Sequence, residues 1–219
     1  MSDYLFISDV HSQNCPLVKA LRFALDNQLV PVLLGDIFDS RIGADTTYEV
    51  FRTLLDFPID KELLLLHSNH QWHLQQRFQK GCEYPYEDPF PLTTKKLNPY
   101  REMIIRWFSA LPLGITLTSS TTGKTYKVAH AYFPDEYEGS IILDPKLERL
   151  CLFGPRNPDN SRIQWWFDEE KSSRDYIKVA GHYHTLFLGK NSIILDGSCG
   201  EPGGMLLCYD TRKEKVIFP

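Results

Sequence analysis

Five short apolar runs in this chain each end in residues that can hold a metal ion. Leu5-Phe6-Ile7 runs into Ser8-Asp9-Val10-His11, and Leu33-Leu34 runs into Gly35-Asp36-Ile37-Phe38-Asp39. Leu63-Leu64-Leu65-Leu66 leads to Ser68-Asn69-His70, Tyr126-Lys127-Val128-Ala129 to His130, and Tyr176-Ile177-Lys178-Val179-Ala180 to Gly181-His182-Tyr183-His184. Carboxylate, amide and imidazole groups together, without thiolate, suit manganese, iron or zinc better than calcium. An aspartate after one strand often only caps a helix, and a lone histidine is usually structural. Five such ends in chain order point instead to a two-metal site.

Asp9 and His11 stand two apart on an extended segment, so both can reach one ion. Asp36 is the natural bridge, because a carboxylate's two oxygens can neutralise two cations about 3.5–4 Å apart. The expected ligands are Asp9, His11, Asp36 and His184 for one ion, and Asp36, Asn69, His130 and His182 for the other. Such a pair suits a phosphate ester: it holds the ester's oxygens, offsets transition-state charge and activates a bridging water for in-line attack as hydroxide, without a phospho-enzyme. His70 is then the candidate general acid for the leaving alkoxide. Asp39 is the carboxylate that orients it and keeps it charged. His67 and His73 fall outside the pattern and read as surface or supporting residues.

Positioning these strand ends requires an α/β architecture with helices between the early strands. Leu17, Leu21, Ala24, Leu25 and Gln28 recur at helical spacing after Asn14 and Pro16, and Val50, Phe51, Leu54 and Leu55 do so within Thr46 to Asp56. Alternating strands and helices argue for a parallel sheet here. Residues 79–99 break the pattern with Gly81, Pro85, Pro89, Pro91 and Pro99 among Tyr84, Tyr86 and Phe90, and read as an ordered insertion that could flank the site. A helix over Tyr100 to Ala110 follows. Beyond Leu113 the chain turns to strands, beginning with a hairpin around Thr122-Gly123-Lys124, with a short helix expected over Ile163 to Glu169. The expected fold is a single domain over residues 1–219: two stacked mixed β-sheets, a sandwich flanked by helices.

At 219 residues the chain can bury a full core, and its net charge of −4 carries no basic footprint of a nucleic-acid binder. Met1-Ser2-Asp3 leads straight into the first strand and no apolar run reaches membrane-span length, so a soluble, cytoplasmic protein without a membrane partner is expected. Cys15, Cys82, Cys151, Cys199 and Cys208 are odd in number and lack a Cys-x-x-Cys pair, which reads as free thiols.

The motif set Ser8-Asp9-Val10-His11, Gly35-Asp36-Ile37-Phe38-Asp39, Ser68-Asn69-His70-Gln71, His130 and Gly181-His182-Tyr183-His184 resembles the calcineurin-like metallophosphoesterases. Ala110-Leu111-Pro112-Leu113, the stretch Val128 to Glu138 and Ile194-Leu195-Asp196-Gly197-Ser198 look like the bacteriophage-lambda-type serine/threonine protein phosphatases within them. The resemblance implies a β-sandwich with a dinuclear, often manganese, centre. The family's Asp-Arg-Gly is Asp39-Ser40-Arg41 here, so its phosphate-binding arginine is absent or displaced to Arg41; Arg156 stands roughly where a second one is found. Ser68 replaces a glycine and Gln71 a glutamate. Gly181-His182-Tyr183-His184 replaces Gly-His-Thr, and its second histidine is shared with phosphodiesterases.

The leading expectation is a phosphatase for phosphate monoesters, phosphoprotein included, with two divalent ions, manganese foremost and iron or zinc as alternatives. Arg41, Arg156 and Asn69 would bind substrate. A phosphodiesterase or dinucleoside polyphosphate hydrolase is the alternative within enzymes. A non-catalytic protein-binding scaffold of the same fold is the alternative outside them.

Overall fold

The computed structural model describes residues 2–40, 42, 46–81, 90–137, 144–161, 163 and 175–219. Arg41, Cys82, the aromatic stretch of the insertion up to Phe90, and the expected helix beyond Ile163 lie outside these residues. β1 (Tyr4–Ile7), β2 (Val30–Leu33) and β3 (Leu64–Leu65) pair in parallel, and β9 (Cys208–Asp210) and β10 (Lys215–Ile217) extend that sheet antiparallel, in the order β10-β9-β1-β2-β3. The second sheet runs β4 (Gly114–Thr118), β5 (Thr125–Ala129), β6 (Tyr176–Ala180), β8 (Ser192–Leu195) and β7 (Leu186–Leu188). Both sheets are mixed, as expected.

Side-chain alternation along β1 divides the core in two. Phe6 joins Val32, Leu34, Tyr126, Val128, Val179 and Leu195 in a layer between the sheets. Leu5 and Ile7 face the other way, with Leu33, onto the apolar sides of α1 (Asn14–Asp26), α2 (Thr47–Leu55), α3 (Asn69–Lys80) and α5 (Arg101–Ser109). Beyond the second sheet, α6 (Pro145–Phe153) lays Cys151 and Leu152 against Ala129 and Phe133. Strands buried on both faces explain why the sequence shows continuous apolar runs rather than strict alternation.

Three helices lie where the sequence shows no clear helical period. The broken stretch 79–99 contains α4 (Pro91–Leu97), because Pro91 occupies the first helical position, where its missing N–H costs nothing. Residues 145–153 form α6, with the Asp144 side chain capping Lys146 N at 2.9 Å. Asn69 to Lys80 is a helix although its polar sequence hides the period. Among the described residues, no helix is long and apolar enough to cross a membrane.

Candidate dinuclear metal centre

The parallel strands β1, β2 and β3 bring their carboxyl ends to one edge of the sheet, and β5 and β6 bring theirs beside it. Asp9, His11, Asp36, Asn69, His182 and His184 all line one cavity there, with Asp39, His70, Phe90 and Glu201. His130 lies directly behind it, fully buried. His11, Asp36, Asp39, His182 and His184 adopt left-handed backbone conformations, with φ of 44°, 42°, 72°, 69° and 50°. Such conformations cost roughly 1–3 kcal/mol each outside glycine and gather where surrounding structure holds a site in place.

Close approach explains two glycines. A Cβ at Gly35 would sit 2.6 Å from Ser68 Cβ, and one at Gly181 only 2.1 Å from Asp9 Oδ1. Ser68 then does three things. Its hydroxyl accepts from Asp36 N at 3.0 Å and from Gln71 N at 3.4 Å, and donates to Gln71 Oε1. This is a capping interaction that starts α3 and also ties down the backbone of Asp36. The helix in turn aims His70 N at Asp36 Oδ1, 3.3 Å away, so the positive end of the helix faces the buried carboxylate.

The histidine tautomers follow from backbone carbonyls, which only accept. His11 Nδ1 lies 2.8 Å from Asp39 O, and His130 Nδ1 lies 3.0 Å from Leu34 O. Both rings therefore carry the proton on Nδ1 and turn the Nε2 lone pair into the site, the form a metal ligand needs. His130 Nε2 meets Asn69 Oδ1 at 2.7 Å and Asp36 Oδ2 at 3.4 Å. His11 Nε2 and His70 Nε2 approach the same Asp36 oxygen at 3.8 and 3.7 Å. Lone pairs converging without donors between them call for a cation. The described residues fit two: His11, Asp36 and His70 form one close group and Asp36, His130 and His182 another, sharing Asp36.

Asp9 and His184 border the cavity outside those tight groups. Asp9 Oδ2 accepts from His182 N at 2.9 Å, while Oδ1 is buried without a hydrogen-bond partner among the described residues. Burial, then the carboxylates of Asp196 and Asp36, push the Asp9 carboxyl well above its usual range. A cation beside Oδ1 would satisfy the oxygen and reverse that push. Burial acts on Asp36 in the same sense, but His130, His70 and His11, when protonated, hold it well below the usual range; cations held at their Nε2 atoms would act in the same direction in place of those protons. Burial lowers His11 despite Asp36.

The calcineurin-like phosphoesterase family profile matches residues 3–209, a span containing every one of these groups. The chain belongs to that family. Calcineurin-like phosphoesterases are metal-dependent enzymes with dinuclear centres, and the chain is accordingly a phosphoesterase. No curated protein matches it significantly. Among solved structures, a protein provisionally described as a diadenosine tetraphosphatase aligns with a TM-score of 0.65 and 17% identity, over 99% of this chain and 92% of its own. A Saccharomyces cerevisiae serine/threonine phosphatase with similarity to human phosphatase PP5 aligns at 0.52 and 13%, over 96% and 73%. A hypothetical protein from Pyrococcus horikoshii OT3 gives 0.51 and 10%, over 100% and 87%. These likenesses concern the fold.

The structure brings His70 and Asp39 together, with His70 Nδ1 2.9 Å from Asp39 Oδ2. Arg156 stands apart from the cavity, in an adjoining groove with Trp72 and His73, its Nη1 donating to Asn160 O at 2.8 Å. Phe90, from the insertion expected to flank the site, lines the cavity with its ring centroid 5.2 Å from that of His70, whereas Glu201 was not singled out in the sequence. Sequence reasoning also passed over Asp196 as a site residue. Asp196 follows β8 as the other donors follow their strands, and it accepts from His184 N at 2.7 Å and Ser198 N at 2.8 Å. That strand-end position was the available signal.

His67 is buried rather than superficial, and it supports the start of α3. Its Nδ1 accepts from Ser68 N at 3.0 Å, so Nε2 carries the proton toward Gln75 Oε1 at 3.2 Å. Burial lowers its pKa from 6.5 to about 4. The folded protein therefore resists a proton that the unfolded chain accepts: this stability is complete above about pH 6.5 and is lost as the pH falls toward about 4. In denaturant titrations, His67→Gln should lose less stability than wild type across that window, by on the order of 3 kcal/mol. Parallel losses in both proteins would show that another group carries the acid sensitivity.

Proposed function

We propose that the chain is a dinuclear metal-dependent phosphatase that hydrolyses phosphate monoesters in the cytoplasm, phosphoprotein substrates included. The observation that carries this reading is the shared Asp36 oxygen, faced by His11, His70 and His130, with the His70 and Asp39 pair beside it. Two divalent ions, manganese foremost and iron or zinc as alternatives, would supply Lewis-acid charge and a nucleophilic water there. Asp9, His11, Asp36 and His184 would hold one, and Asp36, Asn69, His130 and His182 the other.

The remaining work falls to the chain's own groups. His70 presents Nε2 on the cavity side of Asp36 and can pass a proton to a leaving alkoxide, while Asp39 favours the imidazolium that does so. With the Asn69 amide oxygen beside His130, its amide nitrogen would donate to a bound phosphate oxygen. Arg41 is the proposed cationic donor to the monoester dianion, and Arg156, in the adjoining groove, is the proposed donor to a more distant part of the substrate.

A second reading, a phosphodiesterase or dinucleoside polyphosphate hydrolase, has its own support. Among the described residues lining the cavity there is no arginine or lysine. A diester carries less charge and depends less on guanidinium donors. One of the similar folds is also described as a diadenosine tetraphosphatase. The deciding experiment is a manganese-supplemented panel of phosphopeptides, nucleotides, dinucleoside polyphosphates and aryl diesters. The phosphatase reading expects a monoester to be cleaved fastest. Diester cleavage faster than every monoester would replace it with the second reading.

A further inference from the structure

Beside the metal centre lies a second cavity of ≈ 330 Å³, lined among others by Trp72, His73, Phe153, Arg149, Arg156 and Glu148. It is as large as small-molecule sites commonly are. Its two walls both begin at the candidate active site. On α3, His73 lies one turn beyond Asn69 and His70, about 4.5 Å along the helix axis from His70. On the other side, Gly154, between Phe153 and Arg156, packs so closely on Tyr183 that a Cβ would lie 2.1 Å from its hydroxyl; Tyr183 separates His182 from His184. The segments that carry His70, His182 and His184 at the metal centre thus also carry or contact the walls of this groove.

The lining has the chemistry of a particular ligand. Trp72, His73 and Phe153 meet edge to face, the Phe153 centroid 5.8 Å from each of the other two, which builds a rigid aromatic corner. Arg149 Nη2 donates to Asn160 Oδ1 at 3.0 Å and Arg156 Nη1 to Asn160 O at 2.8 Å, so one residue holds both guanidiniums at the groove. Flat apolar surface suits a ring, paired guanidiniums suit phosphate oxygens, and Glu148 can accept from exocyclic amino groups.

We propose that this groove is a nucleotide subsite, which seats the base and the non-reacting phosphate of a leaving group whose scissile phosphate lies at the metal centre. The inference rests on the phosphoesterase reading for its kinetic half only. The groove also accounts for the position of Arg156: it engages the leaving nucleotide rather than the reacting phosphate.

Binding and kinetics test it separately, with AMP, diadenosine tetraphosphate and β-glycerophosphate as probes. By calorimetry on the metal-loaded protein, Trp72→Ala and Arg149→Ala should each weaken AMP binding about tenfold, and Trp72→Phe should largely restore it. The KM for diadenosine tetraphosphate should rise by a similar factor, with kcat and the kinetics on β-glycerophosphate changing less than about twofold. Arg149 is exposed, so its variant should fold even if Trp72→Ala does not. AMP binding that is absent in wild type, or unchanged in Arg149→Ala, overturns the subsite. Equal losses on β-glycerophosphate and the dinucleotide overturn it as well. AMP binding that depends on Trp72 and Arg149 in a protein without hydrolytic activity would uphold the groove and sink the proposed function instead.

Discussion

Asp36→Asn should lower phosphoester hydrolysis by well over the roughly 10–100-fold that a metal site loses with a residue that only hydrogen-bonds to a ligand. It should also leave no more than one tightly held ion. The substitution keeps the shape of the side chain and an oxygen able to accept from His70 N. What it removes is the negative charge on which His11, His70 and His130 converge. Those imidazoles cannot themselves offset the mutual repulsion of two divalent ions, whereas a carboxylate between them can. Elemental analysis after dialysis and an aryl-phosphate assay read the two effects independently. Two ions retained with undiminished activity would exclude Asp36 as the bridge and require a different shared ligand.

The strand ends were legible because each is a local event. A buried parallel strand needs a continuous apolar run, and its exit is marked by a polar residue that the core cannot take, as Leu33-Leu34 gives way to Gly35-Asp36. The helix carrying Asn69 and His70 was not legible in the same way. Asn69-His70-Gln71-Trp72-His73 has too few apolar residues to show a period, and what starts the helix is the reciprocal bonding of Ser68 and Gln71. Those two residues could be noted as departures from the family pattern without their role being visible. The relation of Ser68 to Asp36 N spans 32 residues and exists only once β2 and β3 are paired.

The same distinction separates the candidate ligands from the residues around them. Asp9, Asp36 and His130 could be read one by one, but the tautomers of His11 and His130 depend on carbonyls of Asp39 and Leu34 that the fold supplies. Arg156 could be matched to a motif position from its loop, yet its place in the groove depends on α3 and α6 packing side by side, and on Gly154 meeting Tyr183. Glu201 reaches the cavity from a loop whose course no local pattern records.

His70→Asn should reduce turnover of alkyl phosphates by roughly 10²–10⁴-fold, the range that general acid catalysis supplies. On nitrophenyl phosphate the loss should be far smaller, because nitrophenolate is a good leaving group that departs without a proton. The imidazole is well placed to donate one, since Asp39 holds Nδ1 at 2.9 Å and Nε2 points into the cavity 3.7 Å from Asp36 Oδ2. His70 also falls within one of the close groups that could hold a metal, which raises a competing role as a ligand. The two roles leave different marks. A ligand's loss lowers metal content and affects both substrates alike, whereas loss of the acid keeps both ions and separates the substrates by leaving-group pKa. Asp39→Asn should repeat the separation more weakly, since it removes the charge that favours the imidazolium but leaves the ring in place. Equal losses on both esters, with metal content reduced, would reassign His70 from proton donor to ligand.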